Sequence, residues 1–142
     1  LLAILFIATA LYPMAIKTTP VKPATAGWIP YSAVEFTGLE SGSDALFVNM
    51  TAAWCITCKI NERAALENKN VKNMFMENKV TLIRGDWTSY NPEITGYLQS
   101  FGREGVPIYV YYGPRGANGT RPAPVVLPQI LTPAIIERTI RP

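Results

Sequence analysis

The chain has 142 residues, 49% of them hydrophobic, and its thirteen basic and ten acidic side chains give a formal net charge of +3. That length suits one domain with an apolar core of its own and no need of covalent staples. The charge is modest and forms no block of one sign, so nucleic-acid binding has no support. With no histidine and only two cysteines, a zinc site lacks its ligands.

Residues 1–16, "LLAILFIATALYPMAI", carry no charge, and Lys17 is the first charged residue. A membrane span needs about 20 apolar residues. The stretch is slightly short, and the chain starts at Leu1 rather than methionine. It reads as the end of a transmembrane helix belonging to a longer protein. A secretory signal remnant, with Ala8-Thr9-Ala10 as its cleavage site, is the alternative, and a buried core helix is the third. The first two readings place the rest of the chain outside the cytoplasm or beside a membrane. Residues 17–27, "KTTPVKPATAG", form a linker stiffened by proline, and the folded domain, 28–142, begins at Trp28.

Within it, "WIPYSAVEF" (28–36) predicts a first strand, with Pro30 placing it at an edge or a start. "ALFVNM" (45–50) predicts a short buried strand. A helix follows over Cys55–Asn68, then a shorter one over Val71–Glu77. "VTLIRGDW" (80–87) predicts another buried strand. Asn91-Pro92-Glu93 combines an N-cap, a first-turn proline and a first-turn acid, so a helix runs from there to Gly102. "VPIYVYY" (106–112) is rich in β-formers. Asn118-Gly119 marks a turn, "VVL" (125–127) a short strand, and Thr132-Pro133 the start of a last helix. This order implies parallel crossovers in the middle of the chain and a hairpin between the final two strands. Arg84-Gly85-Asp86 falls at the end of a buried strand, which makes an adhesion role an accident of spelling.

Both cysteines lie in "AAWCITCK" (52–59), after a strand and at the start of a helix. Three readings compete for them: a structural staple, a metal clip and a redox couple. A staple across two intervening residues closes a very small loop, and such loops stabilise least. Two thiolates fall short of a zinc shell, though a two-coordinate copper(I) site stays open. At the i and i+3 positions of a helix the two sulfurs are neighbours, within reach of a disulfide. Cys55 at the helix start is favoured as a thiolate by unpaired N–H groups and the helix dipole. It is therefore the attacking sulfur, and Cys58, one turn in, the resolving one.

A strand, then Trp-Cys-x-x-Cys-Lys opening a helix, then Val106-Pro107 before a strand 49 residues beyond Cys58, resembles thioredoxin. The resemblance implies a thioredoxin-like α/β fold, with a central mixed sheet flanked by helices and here an N-terminal extension. "FVNMTAAWCITCKINE", behind an apolar segment and a linker, is similar to the C-terminal periplasmic domain of DsbD-type thiol–disulfide interchange proteins, and in wording to the branch linked to suppression of copper sensitivity. This implies a protein-disulfide reductase at the bacterial inner membrane, facing the periplasm. It would take electrons from a transmembrane redox domain of the same longer chain and pass them to periplasmic disulfide-bearing proteins. Its only redox group would be the Cys55–Cys58 disulfide, with no metal and no other cofactor. An oxidoreductase of cytochrome c maturation and a copper(I)-binding thiolate module are the alternative functions.

The resemblance also implies roles for single residues. Pro107 matches a cis-proline facing the pair, with the backbone of Val106 turned toward a partner segment. Trp54 matches the flanking tryptophan, and Glu62 a glutamate near the buried sulfur. Asn49 stands where thioredoxins usually have a buried aspartate. An amide cannot take up a proton, so Glu62 or water would have to do so. Lys59 reads as solvent-facing. Ile56-Thr57 puts no charge between the cysteines, so nothing there strongly stabilises a thiolate, which favours an electron donor over a strong oxidant.

Overall fold

The computed structural model describes residues 27–141. The apolar segment 1–16 and all but the last residue of the linker 17–27 lie outside the described residues. Among the described residues, no helix is long and apolar enough to cross a membrane.

Five strands form one sheet: β1 (Trp28–Pro30), β2 (Leu46–Thr51), β3 (Thr81–Asp86), β4 (Ile108–Tyr112) and β5 (Val125–Val126), in the spatial order β1-β3-β2-β4-β5. The helices are α1 (Ala33–Ser41), α2 (Ile56–Asn61), α3 (Lys69–Glu77), α4 (Pro92–Ser100) and α5 (Pro133–Ile140), and α2 continues directly into a π-helical turn, Glu62–Leu66.

β2 is the middle strand, and all six of its residues are buried. Successive side chains of a strand point to opposite faces. Leu46, Val48 and Met50 therefore enter one core, with Ile108, Val110 and Tyr112 of β4, Ile94, Tyr97 and Leu98 of α4, and Phe36 and Leu39 of α1. Phe47 enters the other, with Tyr109 and Tyr111 of β4, Ala65 and Leu66 of the π-helical turn, Val71, Met74 and Phe75 of α3, and Ile136 and Ile140 of α5. Covering on both faces is why β2 reads in the sequence as a continuous apolar run rather than an alternating one. Asn49 has the parity of Phe47 and so faces the α2 and α3 side.

Two expectations need correction. The stretch Trp28–Phe36 is not one strand. β1 ends at Pro30, and the Ser32 side chain accepts a hydrogen bond from the Glu35 N–H at 3.1 Å, starting α1. Ser32-x-x-Glu35 is the pattern of a capping box, a signal that β-branched and aromatic neighbours mask. Pro30 does lie on an edge strand.

The second correction concerns strand direction. β3 is parallel to both β1 and β2, but β4 runs antiparallel to β2. A nine-residue helix such as α4 rises about 13.5 Å. The six residues 101–106 can span more than that when extended. The chain can thus return to the end of the sheet it left, which reverses β4. β5 pairs antiparallel with β4, as the hairpin expectation requires.

Two arginines from the segment between β4 and β5 close the far end of α1. Arg121, its side chain only 5% exposed, donates to the carbonyls of Glu40 (3.0 Å), Gly42 (2.7 Å), Asp44 (2.9 Å) and Gly113. Arg115 donates to Glu40 and Gly42 carbonyls at 3.0 Å. The last carbonyls of a helix have no partner within it and carry its negative dipole end. α1 has no basic residue in its last turn, so distant side chains supply the positive charge. Arg121→Ala removes the buried guanidinium and its charge-assisted bonds to these carbonyls and should lower unfolding free energy by about 2–3 kcal/mol. Arg121→Lys should recover only part, lacking the planar fork; urea unfolding of both variants measures it.

Candidate functional site

β2 delivers the chain to the site. Its last residue, Thr51, pairs with Asp86 of β3, and Met50 pairs with Ile108 of β4. The turn Ala52–Trp54 follows, and Cys55 then caps α2. Its sulfur accepts the Cys58 N–H at 3.1 Å. Cys55 and Cys58 are joined in a disulfide with their α-carbons 5.3 Å apart. Cys58 is fully buried, while Cys55 keeps 6% of its surface exposed. Of the two, only the cysteine at the helix start keeps any exposed surface.

Ala52 and Val106 pack against the two cysteines. Pro107 is buried, and the Val106–Pro107 peptide bond is cis. Because Met50 faces Ile108 across the ladder, this bond sits at the end of the sheet from which the cysteine turn springs.

Trp54 is 49% exposed beside the disulfide. Its indole N–H donates to the Thr88 carbonyl at 3.2 Å. Its ring lies 5.9 Å from Tyr90, nearly parallel to it, and 6.1 Å from Trp87. Tyr90 adopts a left-handed backbone, with φ +56°. That conformation disfavours bulky residues and here turns an exposed aromatic ring onto Trp54. Ile56 and Ile60 are also exposed, on α2. Lys59 is exposed, as expected.

Glu62 lies at the first residue of the π-helical turn. One carboxylate oxygen accepts from the Thr51 hydroxyl at 3.2 Å and from the Arg84 guanidinium at 2.8 Å. Glu62 borders two cavities. The first, about 250 Å³, is shared with Thr51, Ala52, Lys59, Arg84 and Asp86; the second, about 230 Å³, with Asn49, Leu66 and Arg84 among others. Asn49 is buried, and its side-chain oxygen has no hydrogen-bond partner among the described residues. The structure thus brings Glu62 and Asn49 to one cavity and places Trp54, Val106 and Pro107 around the disulfide.

Sequence reasoning missed two supporting residues. Asn61, buried at the last position of α2, donates to the Gln129 carbonyl at 2.6 Å and the Tyr109 hydroxyl at 3.0 Å, and accepts from the Leu131 N–H at 3.0 Å. It bolts the cysteine-bearing helix to β4 and to the approach to α5. Burial pushes the Tyr109 hydroxyl up to about 12, against the lowering effect of its hydrogen bond with Asn61. The second is Thr88, whose hydroxyl accepts the Ala53 N–H at 2.8 Å. A polar residue inside an otherwise apolar helix face is the only sequence trace of Asn61, and Thr88 leaves none.

No group of three or more acidic, cysteine or histidine side chains is placed to hold a metal ion among the described residues. The chemistry available at the site is that of the sulfur pair: attack of an outside thiolate on Cys55 opens the disulfide, and the reverse closes it.

A family model described as thioredoxin-like matches residues 28–114, and the chain belongs to that family. No curated protein matches the sequence. Among solved structures, the chain is similar to the oxidised C-terminal domain of DsbD from Neisseria meningitidis, with 19% identity, a TM-score of 0.57, and cover of 78% of this chain and 96% of that one. The reduced form of that domain gives 20% identity and a TM-score of 0.54, with the same cover. A thioredoxin from Thermus thermophilus is similar over 81% of this chain and 85% of its own, with 15% identity and a TM-score of 0.61. At these identities the likeness is one of fold. Thioredoxin-like domains work through a redox-active disulfide with no further cofactor, and Cys55–Cys58 is that disulfide here.

Proposed function

We propose that the chain is the redox domain of a membrane-tethered protein-disulfide reductase. It faces the periplasm of a bacterium, takes electrons from a transmembrane redox domain of the same longer protein, and passes them to periplasmic proteins that carry disulfides. The observation that carries the reading is the asymmetry of the pair: Cys55 caps a helix and keeps a little exposed surface, while Cys58 is fully buried one turn inside. In the dithiol form, the Cys55 thiolate attacks a partner disulfide and displaces one partner sulfur as a thiolate. Cys58, once deprotonated, attacks Cys55 in the mixed disulfide and releases the second partner sulfur. The partner gains two electrons and the Cys55–Cys58 bond re-forms.

The donor direction is supported by the uncharged Ile56-Thr57 between the sulfurs. The apolar segment 1–16 and the similarity of "FVNMTAAWCITCKINE" to the DsbD-type proteins support the tether and the compartment, and the wording of that stretch supports the copper-sensitivity branch. Val106 packs against the cysteines, where an extended partner segment can pair with its backbone by strand addition. Trp54, Tyr90 and Ile56 offer that segment an apolar rim.

In this reading Glu62 accepts the proton that Cys58 must lose. It follows Cys58 by four residues along the helical run, and its second carboxylate oxygen is free of protein donors among the described residues. Asn49 cannot perform this step.

Two experiments test the reading. Cys58→Ser should accumulate a mixed disulfide between Cys55 and a substrate such as insulin, while Cys55→Ser should trap little; equal trapping by both variants would refute the division of labour. Glu62→Gln should slow insulin reduction several-fold at neutral pH. The loss should fade toward pH 9, where a thiol ionises without help. A rate deficit independent of pH would remove Glu62 from the proton path.

A further inference from the structure

The turn that carries Cys55 is tied down by a neighbouring strand rather than by the disulfide alone. The Trp87 N–H donates to the Thr51 carbonyl at 2.8 Å. The next residue, Thr88, takes two bonds from the turn: the Ala53 N–H on its hydroxyl oxygen at 2.8 Å and the Trp54 indole N–H on its carbonyl at 3.2 Å. Thr88 is itself held by Asp86, whose carboxylate accepts both the Thr88 N–H, at 2.9 Å, and the Thr88 hydroxyl.

The direction of these bonds matters. A hydroxyl has one proton to give. The Asp86 carboxylate takes it, which leaves the lone pairs of the Thr88 oxygen turned to the Ala53 N–H. The hydrogen bonds from Thr88, side chain first and backbone second, also hold the Asp86 carboxyl below the usual carboxylate range, so it is charged at neutral pH. The two partners at the cysteine end, Ala53 and Trp54, are the residues immediately before Cys55. Trp54 is further fixed by its stacking on Tyr90 and Trp87.

None of these bonds involves sulfur, so opening the disulfide breaks none of them directly. We infer that Asp86 and Thr88 form a positioning clamp that keeps Cys55 set against Cys58 in the dithiol form. Closing the disulfide then orders little that is not already ordered. Preorganisation of this kind raises the effective concentration of one group toward another. The clamp therefore stabilises the disulfide relative to the dithiol and keeps the reduced domain a willing donor. A tether that acts only on the folded state as a whole would affect both redox forms alike and leave their ratio unchanged.

The inference rests on the thiol–disulfide reading of the pair, and its test separates the two. The full chain is equilibrated in glutathione buffers of known ratio. Two glutathione thiols reduce the Cys55–Cys58 bond, two electrons and two protons pass to the cysteines, and one glutathione disulfide forms. Thr88→Val keeps the shape of the side chain and removes its hydroxyl. It should lower the equilibrium constant for disulfide formation about tenfold, a rise in potential of about 30 mV. Thr88→Ser retains the hydroxyl and should stay within about twofold of the wild type. Asp86→Ala, at an exposed position where folding is not at stake, should shift the potential the same way by a smaller amount. A wild-type potential in both Thr88→Val and Asp86→Ala, or an equal shift in Thr88→Ser and Thr88→Val, would overturn the clamp while leaving the redox reading intact. A wild-type pair that does not exchange with glutathione at all would overturn the redox reading and the clamp with it.

Discussion

The burial of β2 on both faces is the constraint from which the rest follows. A strand covered by helices on each side must pair with a neighbour on each edge, because an unpaired buried N–H or carbonyl is costly. β3 and β4 supply those edges, in opposite directions. Their ends meet at one end of the sheet, where β2 runs out at Thr51. From β3 come Asp86, Trp87 and Thr88; from the approach to β4 come Val106 and Pro107. The cysteine turn leaves β2 between them. The sulfur pair is thus held on one side by hydrogen bonds and on the other by an apolar contact with Val106.

The same constraint explains the polar groups that the core admits. Asn61 enters a buried position with its amide nitrogen and oxygen both engaged. That is the condition under which burying an amide is tolerable. Its three partners belong to β4 and to the segment before α5, so the helix behind Cys58 is fixed from the far side of the domain. Asn49 occupies the equivalent depth on β2 beside a cavity, and its side-chain oxygen has no donor among the described residues. Glu62, anchored by Thr51 and Arg84, borders both cavities.

What the sequence made legible follows the range of the interaction. β2, α4 and the cysteine-bearing helix are written locally: an unbroken apolar run, an Asn-Pro-Glu helix start, and two cysteines one helical turn apart. α1 was written locally too, as Ser32-x-x-Glu35, but aromatic and β-branched neighbours outweighed that signal. The direction of β4 depends on a six-residue return path whose length permits either direction. The arginine lock on α1 joins residues 77 to 81 apart for Arg121. The bonds from Thr88 to Ala53 and Trp54 span about 35. No periodicity or spacing rule reaches across such distances. The chemistry of the site was therefore readable, while the scaffolding that positions it needed the fold.

The account turns on the unequal exposure of the two sulfurs. Brief treatment with a mild thiol, then a short pulse of iodoacetamide at neutral pH and peptide mass analysis, reports which cysteine is reactive in the folded dithiol. The account expects the label on Cys55, with Cys58 modified only after unfolding. Equal labelling of both, or labelling of Cys58 first, would contradict it.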